Sequence, residues 1–175
     1  SIRTGSDPIS PIRSVQMDPV QTISLPLLAP RGFHAGKVDA TGRIKLPAPF
    51  TKYLAKMENM DLFMTECRGK ARIFTNGSWH KLVALVDDAP DQQDVFTALA
   101  ESIGGDIEID PQGRITIPQK LRAELKLEDQ AVQLRFHEDV ITFWTIADYE
   151  AMQARNAPAK SGVEEELLRR GTKLR

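Results

Sequence analysis

Cysteine is almost absent from this chain: Cys67 is the only one in 175 residues. A lone thiol excludes an internal disulfide framework and a four-cysteine zinc site, and makes a reducing compartment the expected setting. Aromatic residues are also scarce, at 6%. No apolar run approaches the roughly 20 residues that a membrane helix needs. The stretch Ile23–Pro30 is short and interrupted by Pro26 and Pro30, and the residues before it concentrate no positive charge, so neither a span nor a secretory leader is expected. His34, His80 and His137 stand with Cys67 at no metal-like spacing, so no metal or other cofactor is expected.

What the chain does have is a repetition. Val38-Asp39-Ala40-Thr41-Gly42-Arg43-Ile44-Lys45-Leu46-Pro47 returns 71 positions later as Ile109-Asp110-Pro111-Gln112-Gly113-Arg114-Ile115-Thr116-Ile117-Pro118. Phe50 and Leu54 fall opposite Leu121 and Leu125 in the same register, and Phe74-Thr75 with Trp79 answers Trp144-Thr145 with Tyr149. Two copies of a unit of about 50 residues, with no third, exclude a long solenoid and predict two halves closing around one core.

The chemistry of the unit is legible. D-x-x-G-R between β-rich runs requires a tight reversal with a residue at positive φ, which Gly42 and Gly113 supply. Asp39 and Asp110 suit Asx-type caps that accept backbone N–H groups of the turn. Ile-Lys-Leu and Ile-Thr-Ile then alternate as half-buried strands, and Pro47 and Pro118 stop them and open a short helix at its first turn. A hairpin follows in each copy: Asp61–Thr65 with Ala71–Thr75, and Ala131–Phe136 with Val140–Trp144, joined by Glu66–Lys70 and His137–Asp139.

The predicted organisation is an extended arm over 1–30, a first repeat over 31–86, a partly helical linker over 87–104, a second repeat over 105–156, and a tail over 157–175 with a short helix ended by Gly171. The net charge of -1 hides an asymmetry. Arg31 to Lys81 holds ten Lys/Arg against four Asp/Glu, whereas Leu82 to Glu150 holds five against fifteen. A basic half points to a polyanion partner, and opposite halves also suit head-to-tail contacts between subunits.

Paired D-x-x-x-R signatures at this separation, Arg31-Gly32 ahead of the first, Gly113 to Pro118 followed by Leu121-Arg122, and Phe143-Trp144 at the hairpin end together resemble the MraZ family, the two-repeat relatives of the SpoVT-AbrB DNA-binding proteins. The resemblance covers about Arg31 to Arg155. It implies an α+β, mainly β fold: a pseudo-twofold double β-α-β barrel of two AbrB-like repeats, assembled into rings. It also implies a cytoplasmic, nucleoid-associated regulator, usually a repressor, that binds short direct repeats in double-stranded DNA upstream of its own gene in a division and cell-wall cluster. The implied main DNA contact is Arg43. Lys45 and Lys37 flank it at strand spacing, Arg31 reaches from the arm, and Arg114 is the second-repeat counterpart. The family tends to begin its first helix with arginine, whereas Ala48-Pro49-Phe50-Thr51 has none before Lys52.

Each of these residues has a plainer role open to it. Arg43 and Arg114 can pair with Asp39 and Asp110 to hold the turns, and Trp79, Phe143 and Trp144 can serve as core or interface aromatics. An enzymatic reading, with Asp39 and Asp110 as a carboxylate dyad, is disfavoured because the Arg four positions after each Asp favours ionising both. No membrane and no small-molecule substrate are expected. A ring-forming protein-interaction scaffold without specific DNA binding is the alternative function.

Overall fold

A computed structural model of the chain describes residues 28–57 and 60–174, so most of the expected arm lies outside the described residues. From Phe33 the order is β1 (Phe33–Lys37), β2 (Arg43–Lys45), α1 (Ala48–Leu54), β3 (Leu62–Cys67), β4 (Lys70–Thr75), α2 (Asn76–Ala84) and α3 (Pro90–Ile103). The second copy follows with β5 (Gly105–Ile107), β6 (Arg114–Thr116), α4 (Gln119–Glu124), β7 (Ala131–His137), β8 (Val140–Thr145) and α5 (Ile146–Asn156). A 3-10 turn over Ala157–Ala159 leads to α6 (Lys160–Arg169).

The strands that flank each D-x-x-G-R turn do not pair with each other. β1 runs antiparallel to β7 of the other copy, β5 runs antiparallel to β3, and β2 pairs with β6 to form a separate two-stranded ribbon. The large sheet has the order β1-β7-β8-β4-β3-β5, which is unchanged when each strand is exchanged for its repeat equivalent. The fold is α+β with an antiparallel sheet, and each repeat completes the other. The expectation of a mainly β chain needs correction, because more of the described residues lie in helices than in strands. α2 and α5 follow the hairpin of each copy, and α3 and α6 lie beyond the repeated unit.

The pattern of burial explains the elements. Ile44 and Ile115, repeat equivalents, face each other across the ribbon at 1% exposure each, beneath exposed neighbours on either side. Phe50 and Leu54 bury one face of α1, and Leu121 buries one face of α4. These side chains join Val38, Met64, Ile73, Leu134 and Ile141 in a single cluster drawn from both copies. Removing a side chain of this size from water contributes about 1.5–3 kcal/mol, and the cluster draws that contribution from both copies.

Two local expectations are corrected. Pro47 and Pro118 occupy the position before the first helical residue, with φ of -54° and -50°, so α1 and α4 start one residue later than expected. The hairpin connections are two residues long, Arg68-Gly69 and Glu138-Asp139, and the flanking strands are correspondingly longer. Their φ values of 55°, 78°, 50° and 59° put both turn residues in the left-handed region, the conformation whose twist matches antiparallel strands. Gly69 and, more weakly, Asp139 announce this; Arg68 and Glu138 are held there by the strand register.

Candidate nucleic-acid interface

The first turn is closed by its aspartate. Asp39 Oδ1 accepts the amides of Thr41 and Arg43, each at 2.9 Å, and the Thr41 hydroxyl at 2.7 Å. The Thr41 hydroxyl in turn accepts Arg43 Nε at 3.1 Å, while Arg43 Nε lies 3.5 Å from Asp39 Oδ2. These bonds, led by the Thr41 hydroxyl and then the Arg43 amide, lower the Asp39 pKa from 3.8 to about 2. A carboxylate dyad sharing one proton needs a raised pKa, so the shift at Asp39 runs against the enzymatic reading.

Asp110 repeats the geometry, accepting the amides of Gln112 at 2.9 Å and Arg114 at 2.8 Å. Gln112 replaces Thr41 and brings no hydroxyl to the arginine. Among the described residues no carboxylate lies within ion-pair distance of Arg114, whereas Arg43 is tethered through Nε to the Thr41 hydroxyl and Asp39 Oδ2.

The ribbon brings the two turns together. Arg43 is opposite Thr116 and Lys45 is opposite Arg114, and all four are on its exposed face because Ile44 and Ile115 occupy the buried one. Three cations from two sequence-distant motifs therefore share one surface. Lys37 meets Lys45 and His34 along a neighbouring groove of about 480 Å³. Arg31 is not on the ribbon. It lines the next groove, of about 430 Å³, with Lys52 and Lys56, and the two grooves meet at Pro49. No carboxylate lines either groove. Lys56, in the turn just after α1, escaped the sequence reading.

Arg122 was noted only as part of a motif, yet it connects the repeats. From α4 its Nη1 donates to the carbonyl of Thr41, its Nε lies 3.5 Å from Glu128 Oε1, and its guanidinium covers Gly42. At the equivalent place in α1, Thr51 approaches Gly113. The arginine missing from the first helix is thus an arginine missing from the second turn. Trp79 packs on Phe63, Phe74 and Phe96, and Phe143 is buried in the core. No group of three or more His, Cys, Asp or Glu side chains among the described residues is arranged to hold a metal, and no helix there is long and apolar enough to cross a membrane.

Fold and surface define a class: an interleaved two-repeat α+β protein that presents a cationic two-stranded ribbon. A family model described as "MraZ protein, putative antitoxin-like" matches residues 105–170. Proteins named transcriptional regulator MraZ are similar to this chain. The one from Koribacter versatilis is 32% identical over 112 residues, 61% of this chain and 76% of the relative. That from Acidobacterium capsulatum is 28% identical, covering 70% and 84%, and that from Lactiplantibacillus plantarum is 29% identical, covering 75% and 92%. The chain belongs to the MraZ family, a family of regulators and not of enzymes.

Proposed function

We propose that this protein is a sequence-specific DNA-binding transcriptional regulator, and that the ribbon is its reading element. The observation that carries this is the exposed face on which Arg43, Lys45 and Arg114 converge. A two-stranded ribbon fits the major groove, and an arginine fork matches the acceptor edge of guanine. Arg43 reads bases, Arg114 joins it across the ribbon, and Lys45, Lys37 and Arg31 contact phosphates. Asp39, Gly42, Asp110 and Gly113 fix the turns that aim them.

In the same reading, the repeats over 31–86 and 105–156 are AbrB-like halves of a pseudo-twofold double β-α-β barrel, with 87–104 as linker and the segments outside 31–156 as arm and tail. Several copies associate, in ring-like form, and align their ribbons on short direct repeats upstream of the protein's own gene in a division and cell-wall cluster. Occupancy there represses transcription from the nucleoid, and weak single sites gain avidity when spacing permits.

The test is an anisotropy titration against that upstream DNA and against scrambled DNA at two salt concentrations. Arg43→Ala is expected to remove the preference for the upstream sequence, a loss of about 1–3 kcal/mol of discrimination. Lys45→Ala is expected to weaken both DNAs alike and reduce the salt slope by about 0.9. Equal affinity for the two DNAs by folded wild-type protein would leave the interaction scaffold as the function.

A further inference from the structure

A groove of about 740 Å³ lies away from the ribbon, between α2 and the outer face of β4, β7 and β8. Its floor is apolar, with Phe74, Leu82, Leu85 and Trp144, and Leu85 is 76% exposed. Four cations line it, Arg68, Arg72, Lys81 and Arg135, against two carboxylates, Glu138 and Asp139.

A surface of opposite character lies on α3. This helix contains Asp91, Asp94 and Glu101 and no basic residue. Its inner side is pinned: Phe96 stacks on Trp79 at 5.7 Å, Ala100 is buried, and the Ala100 carbonyl accepts the buried Thr65 hydroxyl at 2.7 Å. Its outer side leaves Val95 and Leu99, one turn apart, 60% and 65% exposed. An apolar pair edged by acid is complementary to an apolar floor edged by base.

A chain cannot satisfy its own groove with its own α3. α2 stands between them, giving Lys81 and Leu82 to the groove, with Leu85 at its C-terminal cap, and Trp79 to the α3 contact, and only five residues separate α2 from α3. We propose that α3 of a second copy occupies the groove, with Val95 and Leu99 against Phe74, Leu82, Leu85 and Trp144, and Asp91, Asp94 and Glu101 against the cationic rim. The contact joins two different surfaces and is therefore heterologous. It rests on the self-association proposed above and gives it its surfaces; it does not depend on DNA.

Cys67 lines the groove and is the chain's only cysteine, which makes the contact directly testable. Wild-type protein is mixed with a variant carrying Cys67→Ser and Leu99→Cys, and treated with a short thiol-to-thiol cross-linker. A covalent dimer is expected in the mixture and from neither protein alone. Sedimentation that shows association without this dimer would overturn the proposal. A single-chain mass at all concentrations would overturn it together with the self-association reading, while the anisotropy titration reports DNA binding independently.

A charge exchange supplies the second arm. Arg68→Glu with Lys81→Glu is expected to weaken association by about tenfold or more. Combination with Asp91→Lys and Asp94→Lys in the same chain is expected to restore it. Absence of recovery, with folded protein, would also overturn the proposal.

Discussion

At the scale of single residues the two copies are not equivalent, and the difference is measurable. Gly42 has φ of 79° and Gly113 has φ of 80°, so an alanine at either pays the same backbone strain, about 1 kcal/mol. At Gly42 the new methyl would also overlap the Arg122 guanidinium and push it off the Thr41 carbonyl, whereas at Gly113 the nearest atom, Thr51 Cγ2, stays 3.8 Å away. Gly42→Ala is therefore expected to destabilise by about 0.5–1.5 kcal/mol more than Gly113→Ala, the net worth of one solvent-exposed hydrogen bond. Urea midpoints for the two variants decide this, and equal midpoints would remove Arg122 from the turn. Asp39 gives a second residue-scale expectation. Its pKa is lowered from 3.8 to about 2, so its contribution to stability is complete above about pH 4 and disappears as pH falls through 2. A carboxyl titration by NMR is expected to place the Asp39 midpoint near 2 in wild type and higher in Thr41→Ala, since the Thr41 hydroxyl is the largest cause.

At the scale of elements, what the sequence disclosed was local. The D-x-x-G-R turns, the alternating Ile-Lys-Leu and Ile-Thr-Ile runs and the short helices after Pro47 and Pro118 carry their own signals, because glycine, proline and period-two burial act within a few residues. The partner of each strand carries no such signal. β2 alternates as a half-buried strand whichever strand it meets, and only the fold tells that Lys45 lies opposite Arg114. For that reason Arg43, Lys45 and Arg114 were legible as individual candidates while their common face was not. Arg31, which the sequence groups with them, lies ahead of β1 in a separate groove beside Lys52 and Lys56. The two-residue hairpin turns were missed for a related reason: Arg68 and Glu138 are not residues that seek positive φ, and pairing from both sides imposes it.

At the scale of the whole molecule, interleaving makes the repeats one cooperative unit. β1 has its partner in β7 and β5 in β3, and β4 and β8 meet at the centre, where Arg72 Nη1 reaches the Thr142 hydroxyl at 2.9 Å. Opening either half strips a strand from the other and exposes side chains of the common core, including Ile44, Phe50, Ile115 and Leu121. A protein of two independent repeats would unfold in two steps, with the acidic and basic halves differing in midpoint; this one is expected to unfold in one. The chain offers a tryptophan in each half. Trp79 sits among Phe63, Phe74 and Phe96, and Trp144 sits beside Phe33 with Lys70 Nζ 4.6 Å from its ring. Trp144→Phe leaves fluorescence to report the first half, and Trp79→Phe leaves it to report the second. Within each variant, the fluorescence midpoint in urea is expected to coincide with the midpoint of far-ultraviolet circular dichroism, because the signal of one half cannot be lost while the other persists. A fluorescence transition that precedes the loss of secondary structure in either variant would show that one repeat stands without the strand its partner lends, and the interleaved sheet would then not be what holds the protein together.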